Sequence, residues 1–180
     1  MEEVVKLSSH MCTILHSQAQ SVVCTSRGCT EQIQCDKGVS QGCPLSPTLF
    51  ALYTNDLMSE MSGSGVKLIN QNVKGLMYAD DVALVAESGA DLQSMLDSLS
   101  AYCDKWSLCV NTKKSKVMVF GGGRLDAGVQ FTYKGLKLEL VDNFRYLGVI
   151  FSRSCSFDLC VDTLMKWTES NDGHEPEHTF

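Results

Sequence analysis

Hydrophobic residues near the amino end recur at intervals of three or four, at Val4, Leu7, Met11, Ile14 and Leu15. This spacing predicts a helix with one buried stripe. Two β-prone stretches, residues 21–25 and 31–35, then flank a turn at Arg27 and Gly28, and this arrangement predicts a hairpin. The chain is therefore expected to open with a helix followed by a pair of antiparallel strands.

A shaped loop is predicted at residues 38–47, GVSQGCPLSP, because glycine and proline are too frequent there for regular structure. The end of this segment predicts a helix start, with Ser46 as the N-cap and Pro47 at the first helical position, where its missing N–H costs nothing. Apolar positions between residues 49 and 61 predict the buried face of that helix. Gly63 and Gly65 are expected to end it.

The central and carboxyl-side segments mix strand and helix signals. Two β-prone runs cover residues 66–69 and 76–85, and Asp80 and Asp81 interrupt the second, which predicts the tip of a tight hairpin. An apolar stripe in residues 92–106, begun by Ser88 or Asp91, predicts a long helix. Strand-like segments follow at 116–120, 129–133, 136–140 and 144–151, and then a short helix at 157–167.

This order of elements predicts an α+β fold, in which an antiparallel sheet carries helices packed on one face. We expect one domain over residues 1–167 and a polar, frayed tail over residues 168–180. The composition agrees, because 44% hydrophobic and 20% charged residues exclude a disordered chain, and no apolar run is long enough to span a membrane.

The net charge argues against a general affinity for nucleic acid. The 180 residues carry 15 Lys and Arg against 21 Asp and Glu, a formal charge of −6. No global basic field exists to hold a polyanion. A nucleic-acid role would need local basic patches, metal ions or basic segments supplied from outside the chain.

Nine cysteines raise the question of redox state. Their number is odd and no two stand in CxxC spacing, so neither a complete disulfide framework nor a zinc site is predicted. Reduced thiols in an intracellular protein are the better interpretation. Nucleus and cytoplasm both remain open.

Asp80 and Asp81 are the most informative pair for chemistry. Two adjacent carboxylates between apolar strands repel each other unless a cation compensates them. Hard oxygen ligands at a hairpin tip suit Mg²⁺, which binds one or two protein carboxylates and completes its shell with water and phosphate. A solvated acidic turn is the alternative, and the pair by itself leaves that alternative ahead.

Four motifs in order change that balance. They are GVSQGCPLSP at 38–47, YADD at 78–81, NTKKSKVMVF at 111–120 and FRYLGV at 144–149. In this order and at these separations the chain resembles the reverse transcriptase domain of non-LTR (LINE-type) retrotransposons over residues 38–151. A lone YADD would be a weak signal, whereas the series is specific.

The resemblance implies a role for each residue of the YADD motif. Polymerases of this kind place two Mg²⁺ ions between carboxylates and the incoming triphosphate. Asp80 would be the main metal ligand in this segment. Asp81 would be a second ligand or a group that shapes the electrostatic field at the site. Tyr78 and Ala79 would lie near the primer terminus and the nucleotide.

The resemblance also implies binding partners and further contacts. Gln41 and Gly42 match positions that contact the incoming nucleotide, and Lys114 matches a lysine that protonates pyrophosphate or contacts the triphosphate. An ordinary exposed lysine is an equally good interpretation of Lys114. The partners implied are an RNA template, a DNA primer and a deoxynucleoside triphosphate, with no membrane.

The chain departs from the family pattern at its first catalytic motif. Its acids before the glycine loop are Glu2, Glu3, Glu31 and Asp36, and none lies in the hydrophobic context of the family's first aspartate. The fingers region, half of the palm and the thumb also lack counterparts, so we expect no polymerase activity from this chain alone. Two alternatives stay open: a palm-derived binding protein, which could pair with a fuller polymerase chain, and a metal-binding domain without nucleotide chemistry.

Overall fold

A computed structural model describes residues 20–26, 28–34, 38–39, 42–121 and 129–171 of the chain. The helix predicted at residues 4–15 lies outside these residues. The chain forms two compact units, Met1–Leu99 and Ser100–Phe180, and the boundary falls inside a long helix.

The first unit is built from hairpins and helices. In chain order its described elements are β1 (Gln20–Ser21), β2 (Cys24–Thr25), β3 (Gly28–Cys29), β4 (Ile33–Gln34), α1 (Ser46–Tyr53), α2 (Leu57–Glu60), β5 (Val66–Leu68), β6 (Gln71–Val73), β7 (Gly75–Tyr78), β8 (Asp81–Leu84) and the helix α3 (Gly89–Lys105), which continues into the second unit. The strands pair antiparallel as β1 with β4, β2 with β3, β5 with β6 and β7 with β8. The hairpins predicted around residue 27 and at Asp80 are therefore confirmed.

The second unit alternates short strands and ends in a helix. Its described elements are β9 (Lys116–Val117), β10 (Thr132–Tyr133), β11 (Leu136–Lys137), β12 (Glu139–Leu140), β13 (Asn143–Tyr146), β14 (Val149–Ser152) and α4 (Asp158–Asn171). β10 pairs with β11 and β13 with β14 in antiparallel fashion, whereas β9 and β12 are parallel and are joined by an ion pair between Lys116 and Glu139 at 2.5 Å.

The predicted α+β class is confirmed, with two refinements of detail. Among the described residues the strands pair two by two, and one pair is parallel. Helix α4 continues to Asn171, four residues beyond the 167 expected from its apolar pattern.

The start of α1 corrects one prediction. The helix begins at Ser46, its N-cap is Leu45, and no side chain caps it, so the predicted N-cap role of Ser46 is wrong. Ser46 is instead a buried residue of the first turn, and its backbone N–H donates to the carbonyl of Cys43 at 3.1 Å. Pro47 therefore lies at the second helical position, one later than predicted, and still within the first turn.

The helix predicted through residue 61 is broken into α1 and α2. The hydroxyl of Thr54 donates back to the carbonyl of Phe50 at 2.9 Å, a bond that bends helices. Among the described residues, the buried apolar side chains of this unit lie on these two helices, directly after the second of them, and on α3: Leu49, Leu57, Met61, Met95 and Leu96. Met95 is fully buried and marks the centre of the core.

Polar contacts fix the hairpins of the first unit to its helices. At the start of α3, the N–H of Asp91 donates to the hydroxyl of Ser88 at 3.1 Å, and that hydroxyl donates to the Asp91 carboxylate. The N–H of Ser64 donates to the same carboxylate at 2.9 Å. The Ser88 and Ser64 hydrogen bonds hold the pKa of the Asp91 carboxyl below its usual range. The helix start predicted at Ser88 or Asp91 is confirmed.

The cysteines provide a second correction. Cys24 and Cys29 face each other on β2 and β3 and form a disulfide, so the expectation of reduced thiols is wrong for this pair. The strand register explains the bond, because it places the two cysteines directly opposite each other. Within the described ranges the free cysteines are Cys43, Cys103, Cys109, Cys155 and Cys160.

Candidate active site

The hairpin of β7 and β8 presents the two predicted carboxylates at its tip. Tyr78 and Asp81 are direct cross-strand partners, and Ala79 and Asp80 form the two-residue turn between them. Ala79 has φ 50°, a left-handed conformation that costs a residue with a Cβ roughly 1–2 kcal/mol. The turn therefore holds backbone strain at the centre of the YADD motif.

The two carboxylates are exposed and uncompensated. Both Asp80 and Asp81 are exposed, and within the described part of the chain neither carboxylate has an ion pair or a hydrogen bond. Two hard oxygen donors in water at a turn suit Mg²⁺, which needs few protein ligands and keeps its waters. The residues present thus fit a divalent cation, although among the described residues no third His, Cys, Asp or Glu joins them in a group.

The two faces of the hairpin differ in how far their apolar side chains are exposed. Alternation along the paired strands places Gly75, Met77, Val82 and Leu84 on one face, and Leu76, Tyr78, Asp81 and Ala83 on the other. The first face approaches α2 at Gly75, where a built Cβ would lie 2.9 Å from the sulfur of Met58, and its Met77 and Val82 are 36% and 37% exposed. On the second face Leu76 is 58% exposed and Tyr78 is 65% exposed. Asp81 therefore shares its face with an exposed aromatic ring.

The predicted nucleotide loop is described in part. Gln41 lies outside the described residues. Gly42 has φ 84°, and a Cβ built there would meet no atom within 4 Å. The backbone conformation, more than crowding, requires glycine at this position.

Cys43 follows in the same loop. The backbone N–H of Leu45, together with Ser46, lowers the pKa of the Cys43 thiol. The sequence pattern did not single out this half-buried free thiol.

Lys114 belongs to the second unit, whereas the other described candidates belong to the first. It lies in a turn in which its backbone N–H donates to the Asn111 carbonyl at 3.1 Å, immediately before β9. Its side chain is exposed and has no ion pair or hydrogen bond among the described residues. The structure places Lys114 at the entrance to a strand but does not choose between its two interpretations.

The sequence interpretation missed a local separation of charge. Residues 105–153 contain nine of the 15 Lys and Arg but three of the 21 Asp and Glu. Among the described residues three of these cations are paired: Lys116 with Glu139, Lys134 with Asp104 and Arg153 with Asp142. The chain therefore carries a basic segment of its own, which the net charge of −6 concealed. Counting charges in windows would have found it.

No helix within the described ranges is long and apolar enough to cross a membrane.

The α+β fold and the carboxylate-tipped hairpin are consistent with part of a polymerase palm. The family model for "Reverse transcriptase (RNA-dependent DNA polymerase)" matches residues 3–151. The chain therefore belongs to the reverse transcriptase family, and the resemblance to non-LTR retrotransposons is confirmed.

Its relatives are proteins of mobile elements. The chain is 32% identical over 141 residues to the RNA-directed DNA polymerase from mobile element jockey of Drosophila funebris, covering 74% of this chain and 15% of that protein. It is 27% identical over 148 residues to a Pol polyprotein from the type-1 retrotransposable element R2 of Popillia japonica, covering 77% of this chain and 24% of the relative. The chain thus spans less than a quarter of the length of these relatives.

Proposed function

We propose that this chain is the palm segment of a non-LTR retrotransposon reverse transcriptase, a family whose activity is RNA-directed DNA synthesis. The observation that carries the proposal is the β7–β8 hairpin, which holds Asp80 and Asp81 exposed and unpaired at its tip within a chain of this family. The substrates would be an RNA template, a DNA primer and deoxynucleoside triphosphates.

Asp80 would bind Mg²⁺ as the main ligand of this segment and Asp81 as the second. Two such ions, when bound, lower the pKa of the primer hydroxyl and stabilise the leaving pyrophosphate. The protein's contribution is to present two carboxylates with which no described Lys or Arg side chain forms an ion pair. The tight turn supports this role, because Asp80 lies in the turn directly after the strained Ala79 and Asp81 begins the next strand.

Residues around the carboxylates would position the substrates. Tyr78 and Ala79 would line the primer terminus and the nucleotide, and the exposed ring of Tyr78 offers an apolar surface on the face that Asp81 shares. Gln41 and Gly42 would contact the incoming nucleotide. Lys114 would donate a proton to pyrophosphate or contact the triphosphate, and its exposed, unpaired side chain supports that role.

The basic segment of the second unit supports contact with a nucleic-acid backbone. Lysine and arginine side chains neutralise phosphates and make binding dependent on salt. Residues 105–153 supply such cations in excess over acids. We propose that this segment contributes to the grip on primer and template.

The chain by itself is proposed to be inactive as a polymerase. The family's first catalytic aspartate has no counterpart among the acids that precede the glycine loop, Glu2, Glu3, Glu31 and Asp36. Loss of one ligand from a two-metal site removes several kcal/mol of charge stabilisation, on the order of a thousandfold in rate.

Binding of a nucleoside triphosphate in the presence and absence of Mg²⁺ tests the proposal. We expect Mg²⁺-dependent binding that Asp80→Asn weakens about tenfold or more, because a unit charge about 4 Å from an ion is worth about 1–4 kcal/mol. Asp97→Asn is the matched control, since Asp97 is an exposed acid of the same unit and the charge change is identical. Equal binding by both variants would contradict the assignment of Asp80.

Primer extension separates the remaining alternatives. We expect no extension of a primed RNA template by the chain with Mg²⁺, and processive extension would overturn the proposed inactivity. Nucleotide binding without extension fits an incomplete palm. Absence of any Mg²⁺-dependent nucleotide binding would instead favour a palm-derived binding protein.

A further inference from the structure

Cys24 and Cys29 lie directly opposite each other in the first hairpin of the chain. They are cross-strand partners on β2 and β3, with 4.1 Å between their Cα atoms, and they form a disulfide. Both residues are exposed, so small molecules in solution can reach the two sulfur atoms. The bond is a solvent-accessible cross-strand disulfide near the turn of a short hairpin.

The hydrogen bonds on either side explain why this position suits a disulfide. The N–H of Thr30 donates to the carbonyl of Val23 at 2.9 Å, and the N–H of Val23 donates to the hydroxyl of Thr30 at 3.1 Å. On the turn side, the hydroxyl of Thr25 donates to the carbonyl of Gly28 at 3.1 Å. The cysteines thus occupy the position between two hydrogen-bonded pairs, where side chains approach most closely across antiparallel strands.

The hairpin changes register next to the disulfide. Gln20 pairs with Gln34 and Ser21 with Ile33, whereas Cys24 pairs with Cys29. Two residues lie between Ser21 and Cys24, but three lie between their partners Cys29 and Ile33. The second side of the hairpin therefore carries one extra residue. The described side chains at residues 22–26 and 28–32 are all exposed, so no buried face specifies the register there. The disulfide therefore fixes an alignment that backbone pairing alone would leave loose.

We propose that Cys24 and Cys29 form a reversible thiol–disulfide exchange site whose closed form fixes the register of this hairpin. Its reaction partners are small-molecule thiols and disulfides. Closure converts the two cysteine thiols and one small-molecule disulfide into the protein disulfide and two small thiols, through a mixed disulfide. Opening reverses these steps, so electrons and protons balance. The proposal does not depend on nucleotide chemistry.

Thiol exchange on the full chain tests the proposal. The protein is equilibrated with defined ratios of reduced to oxidised glutathione, alkylated and analysed by peptide mass spectrometry. We expect the 24–29 pair to close within one chain as the ratio falls and to take up two alkyl groups when it rises. Closure should slow amide exchange in residues 20–34 by about tenfold or more, because the disulfide restricts local opening. The hairpin at residues 75–84 is the internal reference and should not change.

Two variants control the experiment. Cys24→Ser should abolish the redox dependence of exchange in residues 20–34, whereas Cys109→Ser, which removes an exposed free thiol, should preserve it. Persistent mixed disulfides at Cys24 and Cys29, or linkage of either to another cysteine, would overturn the proposal. So would unchanged amide exchange after closure, because the disulfide would then fix nothing.

Discussion

The strained turn at Ala79 leads to a prediction about the stability of the YADD hairpin. The change is Ala79→Gly. Glycine adopts φ 50° without the penalty of roughly 1–2 kcal/mol that the Cβ of alanine imposes. Glycine also loses more chain entropy on folding than alanine, which costs roughly 0.5–1 kcal/mol. The net effect of Ala79→Gly on the stability of the hairpin should therefore lie between no change and a gain of about 1.5 kcal/mol.

Ala83→Gly is the matched control, because Ala83 lies in strand β8 of the same hairpin with ordinary strand geometry. There the same substitution brings the entropy cost of roughly 0.5–1 kcal/mol with no relief of strain. The two variants should therefore differ by about 1.5 kcal/mol, which is about tenfold in the equilibrium for local opening. The identical chemical change makes the comparison a measure of backbone conformation alone.

Amide hydrogen exchange of residues 75–84 is the assay, with α3 as the internal reference. We expect slower or equal exchange in Ala79→Gly and faster exchange in Ala83→Gly, both relative to the unaltered chain. If Ala79→Gly opened the hairpin as much as Ala83→Gly does, the turn would hold no strain and the reasoning would be refuted.

Three further predictions concern charge and packing. Hydrogen bonds to the Asp91 carboxylate lower the pKa of this group in the folded chain. The ionised carboxylate therefore stabilises the fold fully above the usual carboxyl pKa of 3.8, and this stabilisation is lost as the pH falls through the lower pKa of the folded chain. Asp91→Asn should flatten that part of the acid unfolding profile, and superimposable profiles would contradict it. Alkylation of Cys43 by iodoacetamide should reach half its maximal rate at a lower pH in the folded chain than in urea, because the folded loop lowers its pKa; an equal or higher midpoint would exclude this. Met95→Ala should lower the free energy of unfolding measured in urea by about 2–5 kcal/mol, because the side chain is fully buried. Met165→Ala, at a 57% exposed position, should change this free energy little. Similar losses in the two variants would show that Met95 is not central to the core.

Hydrophobic spacing predicted the elements whose contacts are local. The stripe of α3 and the alternation on either side of Asp80 and Asp81 both depend on neighbours a few residues away, and both elements were found as expected. Boundaries were less accurate. The start of α1 and the break before α2 depend on single hydrogen bonds, such as that of Thr54 to Phe50, which apolar spacing does not encode.

The candidate site was predicted in the same uneven way. The motif order located Asp80 and Asp81, and the turn between the strands follows from their sequence. The register that places Asp81 opposite Tyr78, and the positive φ of Ala79, emerged only with the folded hairpin. Gln41 lies outside the described residues, so its role stays a prediction.

The amino-acid sequence by itself determined the family, the order of elements and the carboxylates at the hairpin tip, because these depend on residue identity and short-range periodicity. The tertiary structure decided what depends on residues distant along the chain. It joined Ser64 to Asp91 across 27 positions and Lys134 to Asp104 across 30 positions. Such contacts form only when the folded backbone holds both partners in place, and no local pattern specifies that geometry.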